Sequence, residues 1–132
     1  MNRPINDAPA PAAQQAVRVV VADDDDDVRG ALDDLLADEH GIEVVADAAD
    51  GAEAIERCRL HRPDVLVVDV NMPRGGGEAA ARVLSVEFPA MRIIAISANS
   101  DRITRRRMSD DGALEFVAKG DMGRLAEMVL QD

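Results

Sequence analysis

One alternation constrains this chain more than any other feature. Five short, largely apolar runs alternate with stretches that read as helices, most of them striped with apolar residues at helical spacing. The first run, Val17-Arg18-Val19-Val20-Val21-Ala22, is too short for a buried helix and rich in the β-branched residues that suit a central strand. Behind it Val28, Ala31, Leu32, Leu35 and Leu36 make an i, i+3, i+4, i+7, i+8 stripe, with Asp26 or Asp27 to cap the helix and Gly41 to end it. Ile42-Glu43-Val44-Val45-Ala46 reads as a second strand, followed by a helix from about Gly51 to His61 that stops before Pro63. The third strand, Asp64-Val65-Leu66-Val67-Val68-Asp69, is apolar between two acidic ends. A glycine-rich loop, Arg74-Gly75-Gly76-Gly77, then leads to a helix that turns Ala80, Val83 and Leu84 inward and ends near Pro89. Met91-Arg92-Ile93-Ile94-Ala95-Ile96 is the fourth strand, residues 101–110 a weaker Arg-rich helix, and Leu114 to Ala118 the fifth strand. Met122, Leu125, Ala126 and Val129 stripe a last short helix. Five βα units in succession predict an α/β fold: a single doubly wound five-stranded parallel sheet, (βα)5, with helices on both faces.

Residues 1–16, with Ala8-Pro9-Ala10-Pro11-Ala12-Ala13, have no apolar period and read as a flexible tail, leaving 17–132 as one domain with one core. That core must be aliphatic, because the chain has no Trp or Tyr and only two Phe. That weakens any reading that needs stacking platforms for single-stranded nucleic acid, and a formal net charge of −11 is the wrong sign for a phosphate-backbone binder. Cys58, the only cysteine, excludes an intramolecular disulfide and falls three places after Ile55, where a buried apolar role fits. Two scattered histidines make no zinc-type cluster. No apolar run approaches a membrane span and the N-terminus lacks a secretion signal, so the cytoplasm is the expected compartment.

In open parallel sheets the ligand sits beyond the carboxyl ends of the strands. There the sequence places Asp23 and Asp24 (first strand), Asp69 (third), Ser97 (fourth) and Lys119 (fifth). Each alone has an ordinary reading: a solvated charge run, a turn residue, a loop hydroxyl, a surface lysine. At one edge of one sheet they make a chemical set. Mg2+ takes oxygen ligands, often one or two carboxylates with waters and phosphate oxygens. Asp24 and Asp69 with the backbone carbonyl of Asn71 supply such ligands, and Asp23 can act through water. A carboxylate oxygen of Asp69 can attack phosphorus and form an acyl phosphate. Lys119 can follow a phosphate oxygen as a point charge, and Ser97 can donate a hydrogen bond to another.

Val20-Val21-Ala22-Asp23-Asp24, Val67-Val68-Asp69-Val70-Asn71-Met72-Pro73, Ser97-Ala98 and Phe116-Val117-Ala118-Lys119 resemble, in order and spacing, the signature of bacterial two-component response-regulator receiver domains. The resemblance covers the chain from about Val17 to the C-terminus. It implies a flavodoxin-like, chemotaxis-receiver-like fold with strand order 2-1-3-4-5, which puts Asp47 toward the sheet edge, outside the cluster. It implies Asp69 as phosphoacceptor, Asp23 and Asp24 as metal-binding acids with Mg2+ as cofactor, and Ser97 with Lys119 as the phosphate-sensing pair. The donor it implies is a phosphohistidine on a sensor histidine kinase or histidine phosphotransfer protein. Phe116 falls where receivers carry an aromatic switch residue that follows the Ser/Thr, so a downstream protein is expected on the face made by the fourth helix (101–110), fifth strand and fifth helix. Arg102, Arg105, Arg106 and Arg107 mark that face.

The chain departs from the pattern in three places. Arg74-Gly75-Gly76-Gly77 stands where receivers often have Met-Asp-Gly, a change expected to loosen the loop. Gly120 replaces a proline that often follows the Lys in a cis peptide, so a trans bond is expected. Phe116 has no hydroxyl. Two rival readings are an aspartyl-phosphate phosphatase or phosphotransferase of the haloacid dehalogenase type and a phosphate-independent binding module on the same fold. The first wants an Asp two residues after the nucleophile, where this chain has Asn71; the second is at odds with the presence of all five groups. The sequence ends soon after its last helix, as in a stand-alone receiver or a piece of a longer regulator.

Overall fold

The computed structural model describes residues 15–97, 106, 109, 110, 112 and 115–131. Five strands, β1 (Val17–Ala22), β2 (Ile42–Ala48), β3 (Val65–Asp69), β4 (Arg92–Ser97) and β5 (Glu115–Ala118), form one sheet in the order β2-β1-β3-β4-β5. All four pairings are parallel. Besides short 3-10 turns at Pro73–Gly75 and Lys119–Arg124, four α-helices have both ends among the described residues: α1 (Asp26–Ala37), α2 (Gly51–His61), α3 (Gly76–Glu87) and the C-terminal α4 (Leu125–Leu130). The last is the fifth helix of the sequence reading, since most of 101–110 lies outside the described residues. So does the expected tail, of which only Gln15 and Ala16 are described.

Alternation along the strands builds a core on each face. Val20, Leu66, Val68, Ile93 and Ala95 pack against Ala54 and Cys58 of α2 and Ala80, Ala81 and Leu84 of α3. Val19, Val21, Val67, Ile94 and Ile96 pack against Leu32 and Leu36 of α1 and Leu125, Ala126 and Val129 of α4. Strands flanked on both sides are apolar without interruption, as the sequence of β3 is. Cys58 is buried and unpaired, as expected of a small apolar residue.

Several local expectations need correction. Asp25, not Asp26 or Asp27, caps α1, accepting from the amides of Asp27 and Val28; the run of acids offers three equivalent caps, and the chain uses the earliest. The helix ends at Ala37 with Asp38 as its C-cap, and Gly41 instead makes the left-handed turn (φ 99°) into β2. Val83 faces outward; Ala81 takes the inward place, because α3 packs on both β3 and α2 through its small residues. The Gly75-Gly76-Gly77 run is no loose loop. Arg74, itself left-handed at φ 59°, turns the chain, and Gly76 and Gly77 form the first turn of α3. A Cβ on Gly77 would overlap the carbonyl of Asp69, and one on Gly51 would overlap that of Gly76. The glycines are there for close approach, which binds the start of α3 to the end of β3 and to the start of α2.

Candidate phosphoryl-acceptor site

β1 and β3 are adjacent and end level, with Ala22 opposite Val68, so the next residues, Asp23 and Asp69, meet beyond the sheet. Both are buried. Asp23 Oδ1 accepts from the Asp25 amide at 2.9 Å, and Asp69 Oδ1 from the Asn71 amide at 2.9 Å. Each turn thus fixes one oxygen of its carboxylate and leaves the other to the site. Lys119 enters from the end of β5 and donates from Nζ to Asp69 Oδ2 at 3.2 Å, with Asp23 Oδ2 at 3.8 Å. Asp24, exposed, completes a trio with Asp23 and Asp69 whose carboxylate oxygens lie within 4.8 Å of one another. Ser97, buried at the end of β4, stands in register with Ala118, the residue before Lys119. Asn71 lies at the rim with an exposed side chain. The sequence-expected set of Asp23, Asp24, Asp69, Asn71, Ser97 and Lys119 therefore comes together at one sheet edge.

The electrostatics leave two buried carboxylates facing one ammonium. Burial is the main force raising the Asp23 carboxyl above its ordinary pKa; the Asp25 amide opposes it and the charge of Asp69 adds to it. Burial of Lys119 disfavours its charge, but the field and hydrogen bond of Asp69 and the field of Asp23 outweigh this and hold its pKa up. Asp23 Oδ2 is buried without a hydrogen-bond partner. A buried lone-pair oxygen, beside two further carboxylates, is the chemistry that a hard divalent cation satisfies, so these residues fit Mg2+.

Phe116 is half-buried on the α2/α3 side of β5, opposite Ala95. Of the four arginines expected on the output face, only Arg106 is described, and it is exposed. The Lys119–Gly120 bond is trans.

Asp47 lies away from the cluster, as expected, but it is not idle. It hydrogen-bonds the carboxyl of Asp33 on α1 and stands 3.7 Å from Arg29 Nε. Sequence reading had no signal for this pair, because Asp33 falls among helix-surface acids and its contact is set by how α1 crosses β2. Burial first, then the bond and charge of Asp47, push Asp33 up to about 7. A carboxyl raised in the fold binds more protons folded than unfolded between pH about 4 and 7, so stability falls as pH rises through that window. The thermal midpoint should drop from pH 5 to pH 8, and Asp33→Asn, which keeps a donor toward Asp47, should flatten that drop. An unchanged slope in Asp33→Asn would refute the assignment.

Residues 19–130 match the family model described as the response regulator receiver domain, and the chain belongs to that family. It is 37% identical over 113 residues to the response regulator GacA of Pseudomonas viridiflava, covering 86% of this chain and 52% of that protein. It is 37% identical over 120 residues to the transcriptional regulatory protein PdtaR of Mycobacterium tuberculosis, covering 90% and 56%. The chain thus spans about half the length of these curated relatives. The signal receiver domain of the putative response regulator NarL from Mycobacterium tuberculosis superposes with a TM-score of 0.78 at 30% identity, covering 89% of this chain and 99% of that one. This is a two-component signalling receiver with the flavodoxin-like receiver fold.

Proposed function

We propose that Asp69 is the phosphoacceptor of this receiver and that Asp23, Asp24, Asp69 and the Asn71 carbonyl hold Mg2+ for the transfer. The observation that carries the reading is the buried Asp69 carboxylate with one oxygen pinned by the Asn71 amide and the other against Lys119. The donor is a phosphohistidine of a sensor histidine kinase or phosphotransfer protein. An Asp69 oxygen forms the new bond to phosphorus, the phosphorus–nitrogen bond breaks, and the imidazole leaves with its electron pair. Mg2+, when bound, supplies charge neutralisation for the phosphoryl oxygens. Lys119 shifts from carboxylate to phosphate oxygen as charge builds there, and Ser97, in register on β4 with the residue before Lys119, donates to another. Phe116 follows Ser97, and the signal leaves through the face of residues 101–110, β5 and α4 toward a protein partner. The acidic surface suits neither nucleic acid nor membrane as a direct partner, and no described helix is long and apolar enough to cross a membrane. The compartment is the cytoplasm, and the chemistry is limited to self-catalysed phosphorylation and dephosphorylation, within a domain of residues 17–132 behind a tail of residues 1–16.

With Mg2+ and acetyl phosphate the wild type should take up one acid-stable, alkali-labile phosphoryl group, and Asp69→Asn none. Sustained turnover of a generic phosphomonoester would instead favour a phosphatase.

A further inference from the structure

Arg29 lies on the first turns of α1, and its guanidinium gathers groups from three elements. Nη1 donates to the main-chain carbonyl of Asp23 at 2.7 Å. Nη2 pairs with Asp26 Oδ1 on its own helix, and Nε stands 3.7 Å from Asp47 Oδ2 on the edge strand β2. Its side chain is 18% exposed, so the fork is held against the body of the protein rather than in solvent. Asp47 is in turn held by the Asp33 carboxyl. A chain of contacts therefore runs from β2 through Arg29 to the carbonyl of the residue whose buried Oδ2 faces Asp69 and Lys119.

We infer that Arg29, latched by Asp47, is a positioning residue that fixes the Asp23–Asp24 turn in metal-binding geometry. The inference rests on the reading of that turn as a Mg2+ site. Arg suits the task where Lys would not, since one planar fork serves three acceptors in different directions. The latch acts on the main chain of Asp23, while the Asp25 amide fixes the side chain through Oδ1. Together they leave the turn little freedom, so the carboxylates need not reorganise when a cation arrives.

The sign of one measurement separates this role from simple charge. A cation near the site repels Mg2+, so if Arg29 contributed only charge, Arg29→Ala would tighten Mg2+ binding. If it positions the turn, Arg29→Ala weakens Mg2+ binding by about tenfold, the scale found when partners that orient metal ligands are removed. Calorimetric Mg2+ titration of the wild type, Arg29→Ala, Asp47→Ala and the double variant should show weakening in both single variants. The double variant should be no weaker than Arg29→Ala, because one latch has been broken twice. Arg29→Lys should recover only part of the affinity. Unchanged or tighter binding in Arg29→Ala, or strict additivity in the cycle, overturns the inference. If Arg29→Ala does not fold, Arg29→Gln takes its place under the same sign test: weaker Mg2+ binding supports the latch, and unchanged or tighter binding refutes it. A metal-free readout separates failure of the latch from failure of the Mg2+ site. Amide exchange at Asp25, whose N–H reports the turn, should be faster in Asp47→Ala without any Mg2+; an unchanged rate sinks the latch even where Mg2+ binds, and a wild type that binds no Mg2+ sinks the site.

Discussion

Gly77→Ala should destabilise the domain by about 3 kcal/mol, whereas the same change at Gly30 should stabilise it by about 1 kcal/mol. Both glycines are helical, and in an open helix alanine is the better residue. At Gly30 an added Cβ meets nothing within 4 Å. At Gly77 it would run into the Asp69 carbonyl, a backbone group at the end of a buried strand that cannot move aside cheaply. Relief requires α3 to back away from β3, which opens the packing of Ala80, Ala81 and Leu84 and displaces the Asp69 backbone. Gly77→Ala should therefore lose phosphorylation beyond what its unfolded fraction explains. Chemical denaturation of both variants, with labelling measured under folding conditions, checks the pair. Equal effects at the two positions would mean that helix propensity, not close approach, governs Gly77.

Asp23→Asn should move stability and metal affinity in opposite directions. In the metal-free protein Asp23 is a fully buried carboxylate, near a second one, with an oxygen that no donor reaches. Removing its charge leaves Lys119 to pair with Asp69 alone and relieves like-charge repulsion. A gain on the order of 1 kcal/mol is expected, the usual scale when a functional strain is released. The same change removes a charge facing Mg2+ and should weaken its binding by more than about tenfold. The comparison needs a carboxylate that is acidic, close in sequence and uninvolved. Asp33 is not that residue, since its carboxyl bonds Asp47; exposed Asp34, with Ala in its place, is. Denaturation without metal and calorimetry with it should show Asp23→Asn more stable and weaker-binding, and Asp34→Ala near wild type in both. A less stable Asp23→Asn would show that Asp23 is a structural hydrogen-bonding group first.

Strands β1 and β3 were legible because each is a short valine-rich run that leads into an acid, and the site was legible because it hangs on those ends. Asp23, Asp69 and Lys119 each immediately follow or close a strand, so knowing the strands gave the positions of the groups. What escaped was whatever depends on how elements cross. Nothing in the sequence distinguishes Asp25 from Asp26 as a cap, because both are acids before the same stripe. Val83 fits the apolar period of α3, yet the helix lies on alanines and turns it outward. Three glycines in a row signal freedom in one dimension; only the fold shows that two of them are pressed against other backbones. The Arg29–Asp47–Asp33 chain joins residues 18 positions apart by sequence through the α1–β2 packing, which no local pattern encodes.

The central claim is that Asp69 carries the phosphoryl group. Incubation with Mg2+ and acetyl phosphate, followed by borohydride reduction and peptide mapping, converts an acyl phosphate into a stable mark on the residue that bore it. The account predicts a mark at Asp69 alone, dependent on Mg2+ and lost in Asp69→Asn. A mark at Asp23 or Asp24, or an undiminished label in Asp69→Asn, would contradict it.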